Sequence, residues 1–115
     1  MNRADRHWHP PRLPTVPKAT KVDGAHPVPL ARPGDKLQGE FLGVRVTTPG
    51  ELPDIYLQRI DGRIVSTRGK PDVLDALVGV PVGTWVQVCR VASIVVHRRP
   101  RPAAPAAVVT PPREP

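Results

Sequence analysis

Ile55-Tyr56-Leu57-Gln58-Arg59-Ile60-Asp61-Gly62-Arg63-Ile64-Val65-Ser66-Thr67 reads as a β-hairpin. Asp61-Gly62 is a strong short hairpin signal, because the Gly supplies the positive φ that a tight turn demands. Ile55 to Ile60 forms the outgoing strand and Arg63 to Thr67 the returning one. Ile55 and Leu57 fall on one face, Tyr56 and Gln58 on the other. One buried face and one outward face set the rule for the rest of the chain.

Outward from the hairpin the pattern stays β-rich. Pro33-Gly34-Asp35 is a turn, and Leu37 to Val46 is a strand with Phe41, Leu42, Val44 and Val46 as its apolar content. Gly39 and Gly43 inside it predict bulges or a strong bend. A loop runs from Thr47 to Pro53. After the hairpin, Pro71 starts a short helix with Asp72 and Asp75 in its first turns, where the helix dipole favours acids. Val73, Leu74, Leu77 and Val78 form its apolar stripe, and Gly79 ends it. Trp85 to Val91 alternates Val86 and Val88 against Trp85, Gln87 and Cys89. Ser93 to His97 is the last strand. The order β–β–β–α–β–β predicts an all-β fold. A sheet this small is expected to close into a five-stranded OB-like barrel with the helix plugging one end.

The ends differ from the middle. The 115-residue chain holds 17 prolines, seven in residues 1–33, four in 34–97 and six in 98–115. The first segment carries a net charge of +4, the middle zero and the last +3, so the whole +7 belongs to the ends. Three parts follow: a Pro/Arg-rich extended N-terminal arm at 1–33, the barrel at 34–97, and a Pro/Arg-rich tail at 98–115. His9-Pro10-Pro11-Arg12-Leu13-Pro14 and Arg98-Arg99-Pro100-Arg101-Pro102 favour extended or polyproline II backbone. Ala106-Ala107-Val108-Val109-Thr110 is a short apolar island able to add a strand.

Composition excludes several classes. Cys89 is the only cysteine, so a disulfide framework is impossible. No apolar run approaches the ~20 residues of a membrane span. Polar residues at the N-terminus argue against a secretory leader, and a cytoplasmic, reducing setting is the expectation. A central region of this size buries only ~60% of its surface, which leaves little room for a deep active site. No Ser/His/Asp set, glycine-rich phosphate loop or carboxylate pair stands in a credible context, so no enzyme and no cofactor is expected. His7-Trp8-His9 has no Cys or acid at ligand spacing, so no metal site is expected either. Cys89 reads as a small hydrophobe.

Three stretches resemble a known family. Gly34-Asp35-Lys36-Leu37-Gln38-Gly39-Glu40-Phe41-Leu42-Gly43 looks like the opening of small OB-fold single-stranded DNA-binding proteins of phages and mobile elements. Val73-Leu74-Asp75-Ala76-Leu77 and Val80-Pro81-Val82-Gly83-Thr84-Trp85-Val86-Gln87-Val88 are similar to their helix and fourth strand. The resemblance covers roughly residues 34–92 and is a pattern of glycines and apolar positions. It departs at Cys89-Arg90-Val91-Ala92, where that group has an aromatic-x-Gly, and in a basic rather than acidic tail. It implies sequence-independent binding of single-stranded DNA in replication or recombination.

Such binding needs π-faces for bases and cations for phosphates. Tyr56 and Trp85 lie opposite the apolar face of their strands and are expected to point outward and stack bases. Phe41 is expected in the core. Arg45, Arg63, Arg68 and Arg90 are the expected phosphate contacts, with Arg98, Arg99 and Arg101 of the tail adding sequence-independent attraction. The competing readings are a solvated strand face for the arginines and packing under an arm or the helix for the aromatics. A second function stays open: a structural or adaptor protein whose proline-rich arms bind protein partners or sister subunits.

Overall fold

The computed structural model describes residues 9–102. In chain order the elements are β1 (His26–Pro27), β2 (Lys36–Arg45), β3 (Asp54–Gln58), β4 (Ile64–Arg68), α1 (Pro71–Ala76), β5 (Trp85–Arg90) and β6 (Ile94–Arg98). The strands form one mixed sheet in the order β1-β4-β3-β2-β5-β6. Five of them and the helix lie within two residues of the sequence expectation.

The hairpin closes as its turn residues dictate. The Gly62 N–H donates to Arg59 O at 2.9 Å, the Arg59 N–H to Arg63 O at 2.7 Å and the Arg63 N–H to Asp61 Oδ1 at 3.0 Å. Gly62 has a φ of 88°, which a side-chain-bearing residue adopts only at a cost. β2 is long enough to serve two neighbours. Its first half pairs with β5 (Lys36↔Cys89 to Glu40↔Trp85) and its second half with β3 (Glu40↔Gln58 to Arg45↔Asp54), with the register slipping between Phe41 and Gly43. The sheet therefore curls about β2, and its inner face with α1 encloses the core. Phe41, Ile55, Leu57, Val65, Val86 and Val88 meet Val73 and Leu74 of the helix and its C-cap Leu77 there. Each fully buried side chain of this kind contributes about 1.5–3 kcal/mol. Val78, expected on the helix stripe, falls past the end of α1 and is 57% exposed.

The sheet is not closed into a barrel. Its edges are β1 and β6, and no ladder joins β4 to β6 among the described residues. The pairings make β4 and β6 run in the same direction, and β1 runs parallel to β4 as well. β1 thus occupies the ladder position on β4 that β6 would need for closure. Pro27 suits this place, since an edge strand tolerates a residue with no N–H.

β1 belongs to the N-terminal segment, which among its described residues is docked from Leu13 onward rather than free. Val16 N–H donates to Val44 O and Val44 N–H to Pro14 O, both at 2.9 Å, covering the free edge of β2. The chain then crosses the outer face, pairs with β4, and donates from Val28 N–H to Ser66 O at 2.7 Å. Leu13 and Leu30 enter the main core, while Val16 and Val22 build a second cluster on the outer face. This belt has no regular period because it is irregular extended chain, not helix or strand. Its prolines restrict the unfolded segment and so lower the entropy lost on docking.

Candidate nucleic-acid interface

Tyr56 points away from the main core, as the alternation in β3 requires, but it is not open to a base. The belt residues Val16, Val22 and Ala25, with Leu42 and Ile64, pack over it and leave it 5% exposed. Burial, with help from Asp54 and Asp23 and against the pull of Arg45, raises the Tyr56 phenol above its usual value. Arg45 fastens the same belt: its Nη2 donates to Pro17 O at 3.0 Å and to Thr20 O at 3.4 Å. The competing reading of Tyr56, packing under an arm, describes its position.

Trp85 starts β5 on the outward face, and it too is covered, by the tail. The Arg99 N–H donates to Trp85 O at 2.9 Å. The Arg101 guanidinium stands 6.0 Å from the indole centroid and pairs with Glu40 at 3.0 Å. Trp85 is 5% exposed as a result. Around it runs a groove of mixed lining, with Val28, Leu37 and Ile60 as part of its apolar side. Gln38 and Gln87 are register partners across β2 and β5. They line two adjoining hollows of about 390 Å³ and 380 Å³ with Trp85 and Pro102; Arg99 and Pro100 join one, Lys36 and Arg59 the other. Lys36, Gln38 and Gln87 are groove residues that the sequence pattern does not single out, whereas Arg59 is one of the central cations expected to line a phosphate-tracking groove. The signal was present in β5, where Gln87 shares a face with Trp85, but the partner strand's register was needed to bring Gln38 beside it.

The remaining expected cations divide. Arg90 is a structural residue: its Nε donates to Leu30 O, and its Nη2 pairs with Asp72 at 3.2 Å. Arg98 donates to Gly79 O at 2.8 Å, tying β6 to the end of the helix region. Arg63 is well exposed at the hairpin tip, 3.9 Å from Asp61. Arg68 is exposed at the end of β4 and lines a hollow with Lys70 and Arg90. The structure does not gather Tyr56, Trp85 and the arginines onto one open face. It brings together Trp85, Arg99 and Arg101 on one side and Arg68 and Arg90 on another.

Arg3, Arg6, His7, Trp8 and the apolar island at 106–110 lie outside the described residues. Cys89 is half-buried and unbridged. Among the described residues no group of three His, Cys, Asp or Glu is placed to hold a metal ion. No helix among them is long and apolar enough to cross a membrane. Comparison with known proteins finds no matching family model, no matching curated relative and no matching solved structure.

Proposed function

We propose that this protein is a non-enzymatic, sequence-independent binder of single-stranded DNA, acting in replication or recombination in the cytoplasm. The observation that carries the reading is the groove at Trp85. It combines one indole face, the amides of Gln38 and Gln87, and the cations Lys36, Arg59 and Arg99. That is the set single-strand binding calls for: a stacking platform within a cationic track. The OB-like reading of the sheet supports it. β2 bends to pair with both β3 and β5, the helix falls between β4 and β5, and β4 and β6 run in the same direction, as the two closing strands of such a barrel do.

In this reading Trp85 stacks a base once the tail lifts. Tyr56 does so only if the belt leaves, so its part is secondary. Arg63 and Arg68 are available to phosphates, whereas Arg45 and Arg90 act through the belt they hold. The alternative, an adaptor whose proline-rich arms bind partners or sister subunits, has less to draw on. Leu13, Val16, Val22 and Leu30 of the N-terminal arm are already buried against its own sheet.

The test is anisotropy of labelled oligo-dT against added protein over a series of salt concentrations. Tight binding that weakens steeply with salt is expected. Replacing Lys36 and Arg59 by Gln should weaken binding and flatten the salt slope. Binding that ignores salt, or that is equal for the double variant, overturns the groove as the binding surface.

A further inference from the structure

We propose that a second site, at the seam between β4 and the N-terminal belt, binds a phosphate monoester with a compact apolar body. The inference goes beyond the Trp85 groove and shares only Val28 with its lining. The seam encloses about 510 Å³, within the size range that takes up small organic ligands.

Its walls are of two kinds. Pro27, Val28, Pro29 and Leu30 of the belt and Val73 of α1 are apolar. Arg68, Lys70 and Arg90, with the hydroxyl residues Ser66 and Thr67, form the polar side. Asp54 is the one acid in the wall. It already accepts from Thr47 Oγ1 at 3.0 Å, and the cations outnumber it.

Three features point to a missing anion. Arg68 and Lys70 make no side-chain hydrogen bond or ion pair with any described residue. Arg90 is already fixed by Leu30 O and Asp72, so it meets a ligand without first being ordered. Thr67 is 5% exposed and lines the cavity, yet its hydroxyl has no hydrogen-bond partner among the described residues. A buried hydroxyl left unsatisfied is costly, and a ligand oxygen would satisfy it. A phosphate, with three terminal oxygens and up to two charges, matches three cations and a hydroxyl better than a carboxylate does. The five apolar residues require that the phosphate carry a hydrophobic group rather than arrive as the free ion.

The test uses the full ¹⁵N-labelled chain titrated with phenyl phosphate, read by amide chemical shifts. Saturable shifts are expected at Val28, Ser66, Thr67, Lys70 and Val73. Inorganic phosphate should bind at least tenfold more weakly. The R68Q/K70Q double variant, altered only at exposed side chains, should lose at least tenfold in affinity. Thr67→Val, which keeps the shape and removes the hydroxyl, should lose several-fold with no fall in melting temperature. Equal binding of inorganic phosphate, shifts scattered away from the seam, or unchanged affinity in R68Q/K70Q would each overturn the proposal.

Discussion

Arg101 lies over Trp85 with its guanidinium 6.0 Å from the ring centroid, and the same side chain is paired with Glu40 at 3.0 Å. Both contacts are weak. A partly exposed ion pair is worth roughly 0–1 kcal/mol and a cation–π contact of this kind about 0.5–1 kcal/mol. A stacked base is worth ~1–3 kcal/mol, so the tail can yield to a strand. Ending the chain at Arg98 in a Trp8→Phe background should therefore shift Trp85 emission to the red and raise its accessibility to iodide. Unchanged emission would show that the tail is not what covers the indole.

Gly43 marks where the belt crosses β2. Its φ is 119°, and a Cβ there would stand 2.9 Å from backbone atoms of Pro14, Thr15 and Val16. No flexible side-chain end is available to give way. Gly43→Ala should cost about 1–3 kcal/mol in denaturant unfolding from backbone strain alone. It should also speed hydrogen exchange at the Val16 and Val44 amides, which bond across this crossing. An alanine variant with native protection at both amides would mean that the belt is not held here.

The strands and helix were legible because alternation, Asp61-Gly62 and Pro71 are local signals, each carried by a few adjacent residues. Tyr56 and Trp85 on the outward face follow from period two alone, whereas Phe41 sits beside Leu42 and its place in the core does not. The belt was not legible. Leu13, Val16, Val22 and Leu30 have no common spacing, and what buries them is the free edge of β2, the outer face at Tyr56 and the edge of β4, all distant in sequence. The same gap hid the roles of Arg45 and Arg90. An arginine on a strand looks like a phosphate contact until the carbonyls of Pro17 and Leu30 are seen to arrive from elsewhere. Closure of the barrel was inferred from strand count, and β1 was missing from that count.

Arg90 and Arg63 should behave oppositely on substitution. Arg90→Met keeps much of the packing but removes the bonds to Leu30 O and Asp72. A loss of about 1.5–3 kcal/mol is expected in chemical denaturation, the range for hydrogen bonds to charged groups. Arg63→Ala, at the exposed hairpin tip, should change stability by less than about 0.5 kcal/mol. Equal effects at the two sites would contradict the structural role given to Arg90.

Tyr56 is the only tyrosine, so its ionisation can be followed without overlap. Its phenol is raised above the usual value near 10, first by burial and then by Asp54. The folded chain therefore keeps a proton that the unfolded chain has lost once the pH passes the ordinary tyrosine value. Stability should be intact below that pH and decline as the pH climbs toward the raised folded value. Tyr56→Phe should remove that decline. Tyrosinate absorbance appearing at the ordinary midpoint, with the fold still intact, would mean the belt does not seal the ring.

The central claim is that Trp85 receives a base, and its own fluorescence tests that most directly. In the Trp8→Phe protein, oligo-dT added at low salt should quench Trp85 emission to a saturating limit, and added salt should restore it. Saturable binding of oligo-dT with no change in Trp85 emission would contradict the account, since the strand would then be held without the groove.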